Sequence, residues 1–191
     1  SRFPIPHYGI HFNNFKLHGF CEQRFKEIWG KKFTVKHCAV SDITKEGVVK
    51  TEKFGDLHYD WVVDCRGWPE DYTDYEISSS VPVNAAMVNI IDKPGDWEWT
   101  YHKAMPNGWM FGIPLTTRQG WGYLYNQDVT DREEIISDLK KEFGDKLNTR
   151  EFFFKNYYAK NVIEGRVIKN GNRALFLEPL EALSGFFYEN V

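Results

Sequence analysis

Hydrophobic and polar positions along this chain follow two different periods. Residues 13–30 place Phe15, Phe20, Phe25 and Ile28 on the apolar side of a predicted helix, with Asn13 or Asn14 as its cap and Gly30 as its stop. Three strands are predicted next, over 33–41, 47–54 and 58–65, with Gly55-Asp56 marking a hairpin between the second and third. Residues 66–80 are polar and irregular. Residues 81–91 are apolar at both parities, which predicts a central strand covered on both faces. Residues 97–102, Trp-Glu-Trp-Thr-Tyr-His, alternate strictly and predict another strand. Met105-Pro106-Asn107-Gly108-Trp109 reads as a tight turn. A three-residue loop there pairs Met105 with Trp109, Lys103 with Phe111 and Tyr101 with Ile113. Trp97, Trp99, Tyr101, Trp109, Phe111 and Ile113 then line one side of a sheet. A two-residue loop would move the second set to the other side.

The strand over 121–126 adds Trp121, Tyr123 and Tyr125 on one parity, with its face left open. Residues 131–143 give the strongest helix pattern. Thr130-Asp131-Arg132-Glu133 reads as a capping box, Ile135, Ile136, Leu139 and Phe143 as the buried stripe, and Gly144 as the stop. Residues 151–163 are aromatic and strand-like. The expected fold is α+β, with a large, mostly antiparallel sheet and two principal helices.

Composition narrows the class. The 191 residues fit one domain, two at most. Mean hydropathy is −0.52, and no apolar run is long enough for a membrane helix. Net charge is −3, so there is no basic footprint for nucleic acid. Aromatics reach 17%, which argues against disorder. The cysteines, Cys21, Cys38 and Cys65, are few, odd in number and form no CxxC, which favours reduced thiols and a cytoplasmic setting. The start, Ser1-Arg2-Phe3-Pro4, has no signal-peptide pattern and no initiator Met, so a processed chain or a piece of a longer protein is expected.

Candidate chemistry is sparse by pattern. His7, His11 and His18 cluster without an HExxH, and packed or surface histidines account for them better than a metal site. There is no GxSxG, Walker loop or GxGxxG. Cys65, at a strand end, reads as a buried structural thiol. Two segments stand out. Gly108-Trp109-Met110-Phe111-Gly112-Ile113-Pro114 reads by pattern as an aromatic strand ended by proline. In Glu178-Pro179-Leu180-Glu181 the two carboxylates suit the first turn of a helix. Glu181 becomes a general base only if it points into a closed apolar site.

In order, four segments resemble the flavin-dependent tryptophan halogenases. Tyr8-Gly9-Ile10-His11-Phe12-Asn13 is similar to that family's Tyr-x-x-His-Phe-Asp. Val63-Asp64-Cys65-Arg66-Gly67-Trp68 is similar to its Val-Asp-Cys-Thr/Ser-Gly-Phe. Residues 108–114 resemble its Trp-x-Trp-x-Ile-Pro, and Glu178-Pro179-Leu180-Glu181-Ala182 its Glu-Pro-Leu-Glu-Ser/Ala. The resemblance implies the middle of a flavin-monooxygenase-like, FAD/NAD(P)-binding fold. Residues 1–80 would lie on its flavin side, 81–163 would form a substrate-side aromatic sheet, and 164–191 would return to the flavin domain.

The family uses reduced FAD, delivered by a separate flavin reductase, and O₂ to oxidise chloride or bromide. The hypohalous acid then reaches an aromatic small-molecule substrate such as tryptophan, directed by a lysine and a glutamate. By resemblance Glu181 is that catalytic glutamate. Gly67, Ile113, Pro114 and Pro179 lie against the cofactor, and the backbone amides of Leu183 and Ser184 bind halide. Trp109 and Phe111 form the wall on the substrate side.

This sequence departs from the family at Phe111, where a second tryptophan is usual, at Leu183, usually Thr or Ser, and at Ser184, usually Gly. The stretch before Glu178 is short and lacks a flavin-contacting Gly-Asp. The family's GxGxxG and lysine lie upstream of the region that Tyr8 matches. The expectation is therefore a halogenase fragment that is inactive by itself and binds FAD weakly or not at all. Two alternatives stay open: a flavin monooxygenase or reductase without halide chemistry, and a module whose aromatic wall binds a planar ligand. Aromatic surface left over is expected to be exposed or paired in a homo-oligomer.

Overall fold

The computed structural model describes residues 10–178. In chain order they form α1 (Asn14–Trp29), β1 (Val40–Ile43), β2 (Val48–Thr51), β3 (Gly55–His58), β4 (Val62–Asp64), β5 (Tyr75–Ile77) and β6 (Ala85–Ile91). There follow β7 (Tyr101–Met105), β8 (Gly108–Pro114), β9 (Gln119–Tyr125), α2 (Arg132–Phe143), β10 (Thr149–Phe153), β11 (Tyr157–Ala159), β12 (Ile163–Glu164), β13 (Val167–Lys169) and β14 (Leu175–Phe176). Short 3-10 turns cover Gly30–Lys32 and Gly171–Arg173. The strands do not join one large sheet. Among the described residues they form one five-stranded sheet and three three-stranded sheets. The chain divides into two compact units, residues 10–35 with 85–152, and residues 36–84 with 153–178.

The first unit is built on the five-stranded antiparallel sheet, in the order β10-β6-β9-β8-β7. α2 covers one of its faces. Ile135 and Leu139 on the helix meet Ala85, Met87, Met110, Tyr123 and Tyr125 on the strands, and all seven are fully buried or nearly so. Ile136, Phe143 and Trp121 extend this core. The alternation along β6 is sharp. Ala85, Met87 and Asn89 are buried, while Ala86, Val88 and Ile90 are half-buried, so only one face is closed by core. Asn89 is buried at no cost in hydrogen bonding, because its Oδ1 accepts from the Asn148 N–H at 2.9 Å.

α2 begins differently from expectation. Asp131, not Thr130, takes the N-cap position, and its side chain makes no capping bond. Glu133 and Glu134 in the first turn supply the negative charge that the helix start favours. α1 forms where the sequence places it. The Asn13 side chain accepts from the Phe15 and Lys16 N–H groups, and Gly30 caps the other end at φ +52°. Yet none of its residues is buried, and Phe15 is 86% exposed.

In the second unit β1, β2 and β3 form an antiparallel meander. The hairpin turn lies at residues 52–54 and not at Gly55-Asp56, which open β3. The strand expected over 58–65 is split between two sheets: β3 closes the meander, and β4 pairs in parallel with β13. β11 lies between β14 and β5. Tyr75 and Tyr157 pack edge to face at 5.4 Å in the small core of that sheet.

Candidate functional site

The β7–β8 hairpin decides which side chains share a wall. Met105 pairs with Gly108, Ala104 with Trp109, His102 with Phe111 and Tyr101 with Gly112. The loop therefore has two residues, Pro106 and Asn107, and the three-residue pairing is overturned. Two contacts hold this register. A β-carbon at Gly108 would stand 2.0 Å from the Leu124 carbonyl oxygen, so only glycine lets the strands close here. The Asn107 N–H donates to the buried Tyr123 hydroxyl at 3.1 Å.

The one-residue shift splits the expected aromatic row. Trp97 and Trp99 precede β7 and join no ladder. Trp97 and Tyr101 pack on Trp121, at 5.3 and 5.5 Å. Tyr123 and Tyr125 share that parity and point into the α2 core. Trp109, Phe111 and Ile113 lie together on the opposite face, half-buried. Trp109 lies 6.1 Å from Phe111 and 5.7 Å from the exposed His102 ring. Pro114 goes the other way. It is buried, and a β-carbon at Gly95 would meet its ring at 2.4 Å.

The second unit holds Gly67, at φ +85°, with nothing within 4 Å of the place a β-carbon would take. Three residues earlier, Asp64 is 4% exposed and forms a charged hub that sequence reasoning missed. Its carboxylate accepts a fork from Arg66, at 3.0 Å from Nε and 2.9 Å from Nη2. The Arg66 backbone N–H adds a bond at 3.1 Å, and Arg173 Nε lies 3.2 Å away. Burial pushes this carboxyl up, but the Arg66 and Arg173 interactions outweigh it and hold Asp64 below the usual carboxylate range. Spacing could have suggested the Arg66 contact, since extended residues two apart share a face. Nothing local points to Arg173.

The hub lines a polar cleft of about 620 Å³ with Lys45, Glu70, Asp74 and Lys169. Cys65 is an exposed residue, not a buried one. Partial burial of its sulfur and the Asp64 charge push its thiol up, away from an activated nucleophile. The Glu178 N–H donates to Asn156 Oδ1 at 2.9 Å. Pro179, Glu181, Leu183 and Ser184 lie outside the described residues. Among the described residues no group of His, Cys, Asp and Glu could hold a metal ion, and no helix is long and apolar enough to cross a membrane.

Comparison with known proteins adds the decisive observation. The family model for tryptophan halogenase matches residues 6–188. The chain belongs to the tryptophan halogenase family. It is 26% identical over 166 residues to the tryptophan 7-halogenase KtzQ of Kutzneria sp. (strain 744), covering 77% of this chain and 31% of that protein. The tryptophan halogenase of Shewanella frigidimarina superposes with a TM-score of 0.79 at 23% identity, over 93% of this chain and 38% of that one. BrvH, a flavin-dependent halogenase from Brevundimonas sp. BAL3, superposes at 0.74 with 19% identity, over 88% and 38%. The chain thus spans about a third of the length of these halogenases.

Proposed function

We propose that these residues form the central part of a flavin-dependent halogenase. The complete enzyme would use reduced FAD from a separate reductase, O₂ and chloride or bromide to halogenate an aromatic substrate such as tryptophan, in the cytoplasm. Membership of the tryptophan halogenase family supports this reading. The single observation in the structure that carries it is the grouping of Trp109, Phe111 and Ile113 on one face of the five-stranded sheet, with the α2 core on the other. Trp109 and Phe111 are the proposed wall on the substrate side, and Ile113 the contact toward the cofactor. Glu181 is the proposed catalytic carboxylate, with halide at the Leu183 and Ser184 amides. Gly67 and Pro179 are the remaining proposed cofactor contacts; Pro114, expected to be another, is buried on the other face of the sheet against Gly95. Residues 81–163 are the substrate side, and 1–80 and 164–191 the flavin side.

The described residues do not fit the pyrophosphate of FAD. An anion of that kind sits on the free N–H groups of a helix start. The start of α1 is already satisfied by the Asn13 side chain, and the start of α2 carries Glu133 and Glu134. The 191 residues alone are therefore proposed to bind FAD weakly and to lack halogenase activity. The test is absorbance near the flavin maximum after purification, followed by mass spectrometry of tryptophan incubated with reduced FAD and bromide. A stoichiometric flavin band, or brominated product from the 191 residues, overturns this.

Phe111 favours a second reading, a related flavin enzyme without halide chemistry, because it replaces the second tryptophan of the family pattern. A halogenase-length chain containing these residues separates the two. Halogenated product supports the first reading; peroxide without halogenated product supports the second.

A further inference from the structure

Asn156 is 3% exposed, and both ends of its side-chain amide are bonded. Its Nδ2 donates to the Val83 carbonyl at 2.7 Å, and its Oδ1 accepts from the Glu178 N–H at 2.9 Å. A carbonyl can only accept and an N–H can only donate, so the two partners fix which end of the amide is which. Removing the side chain would leave a buried acceptor and a backbone donor without this bond.

The bridge sits where backbone pairing stops. β11 pairs with β14, and that ladder closes at Tyr157–Phe176. Asn156 lies one residue before Tyr157 and Glu178 two beyond Phe176, so the side chain extends the anchoring past the end of the strands. The Asn156 carbonyl serves another partner, the Ser78 N–H beside β5, at 2.8 Å. The residues leading up to Glu178 are held in turn. The Tyr157 hydroxyl donates to the Asn172 carbonyl, the Tyr75 hydroxyl to the Arg173 carbonyl at 2.9 Å, and the Ala159 N–H to the Ala174 carbonyl at 2.7 Å. Phe176 packs on the rings of Phe154 at 5.2 Å and Trp68 at 5.4 Å. Asn156 adds the contact nearest to Pro179.

Proline has no N–H, so the Glu178 N–H is the last backbone donor before Leu180. The Pro179 ring also fixes its own φ and disfavours helical backbone at Glu178. The chain therefore has fewer free torsions between the Asn156 bridge and Glu181 than a segment without proline. We infer that Asn156 is a positioning residue. It sets the direction in which the chain enters residues 179–184, and so aims the Glu181 carboxylate and the Leu183 and Ser184 amides. This inference rests on the reading of Glu181 as the catalytic carboxylate. Asn156 itself touches neither substrate nor cofactor in this role.

Two variants separate the ends of the amide. Asn156→Leu keeps the size and loses both bonds. Asn156→Asp keeps an oxygen for the Glu178 N–H and loses the amide donor to Val83. Hydrogen exchange and amide NMR on the 191 residues read the bridge directly. The Glu178 amide is protected in the parent and in Asn156→Asp. In Asn156→Leu it exchanges about 100-fold faster, and the Leu180 and Glu181 resonances move. A Glu178 amide that exchanges freely in the parent overturns the inference, as do Leu180 and Glu181 resonances that Asn156→Leu leaves in place.

A halogenase-length chain containing these residues, given reduced FAD, bromide and tryptophan, reads the consequence as brominated product against peroxide. Asn156→Leu lowers that ratio by about 100-fold, the scale of a small misplacement of a reacting group. Asn156→Asp lowers it less, because the Glu178 bond survives. The ratio does not depend on how much of the protein is folded. Product and peroxide that fall together mark a merely structural role and overturn the inference. No brominated product from the parent chain overturns the reading of Glu181 instead, and the exchange results still decide whether Asn156 holds the segment.

Discussion

The Phe111 ring lies flat across Gly122, its cross-strand partner. A β-carbon at residue 122 would stand 2.4 Å from both Cε1 and Cζ of that ring. The next pair along is reversed and faces the other side of the sheet. There Trp121 covers Gly112, and a β-carbon at 112 would meet its Cζ3 at 2.4 Å. Each glycine thus seats an aromatic ring, one toward the α2 core and one toward the candidate substrate wall.

Gly122→Ala should push Phe111 off the sheet and cost about 1–3 kcal/mol, the usual range for overpacking. Thermal unfolding followed by circular dichroism measures the loss, and the Trp109 emission should change with it. An unchanged midpoint would mean that the ring has room elsewhere.

Gly108→Ala should be worse tolerated, because the obstruction is the Leu124 carbonyl and not a movable side chain. The Met105–Gly108 closure must open, which returns the hairpin toward a longer loop and moves Trp109 relative to Ala104. Loss of the Ala104–Trp109 cross-strand contact in NMR is the expected readout.

Tyr123 gives a test at high pH. Its hydroxyl is buried, donates to Asp138 Oδ2 at 3.1 Å and accepts from Asn107. Burial first, and the Asp138 charge with it, push its pKa up to about 12. The unfolded side chain ionises near pH 10. Between these values the folded state holds the proton and the unfolded state does not, so stability falls as pH rises from about 10 to 12 and then levels. Tyr123→Phe should flatten that part of the slope. It should also cost about 1 kcal/mol at neutral pH by stranding the Asn107 N–H and Asp138.

Asp64 gives the opposite test. Its carboxyl is held below the ordinary range, so its contribution is present above about pH 3.9 and lost as pH falls through the lower folded value. Asp64→Asn should remove that acid dependence and cost about 1–3 kcal/mol at neutral pH. This is less than for a fully buried pair, because Arg66 is 32% exposed. An acid-unfolding curve identical to that of the parent would refute the role of the hub.

The sequence by itself determined what is local. Helix ends at Asn13, Gly30 and Gly144 were legible because capping and chain reversal act within a few residues. The apolar stripe of α2 was legible because one amphipathic helix needs one partner face. The family was legible because its motifs are short and ordered.

Only the tertiary structure decided the rest. Whether Trp109 and Phe111 join Tyr101 or oppose it depends on one residue of loop length. That was set by the approach of Gly108 to Leu124 and by the Tyr123 hydroxyl beneath the turn, both on another strand. The split of 58–65 into an antiparallel and a parallel strand follows from partners far along the chain. The same holds for the Asp64–Arg173 pair, and for the exposure of α1 despite its apolar residues. Periodicity records which side chains can be buried; which surface comes to bury them depends on neighbours that the local pattern does not specify.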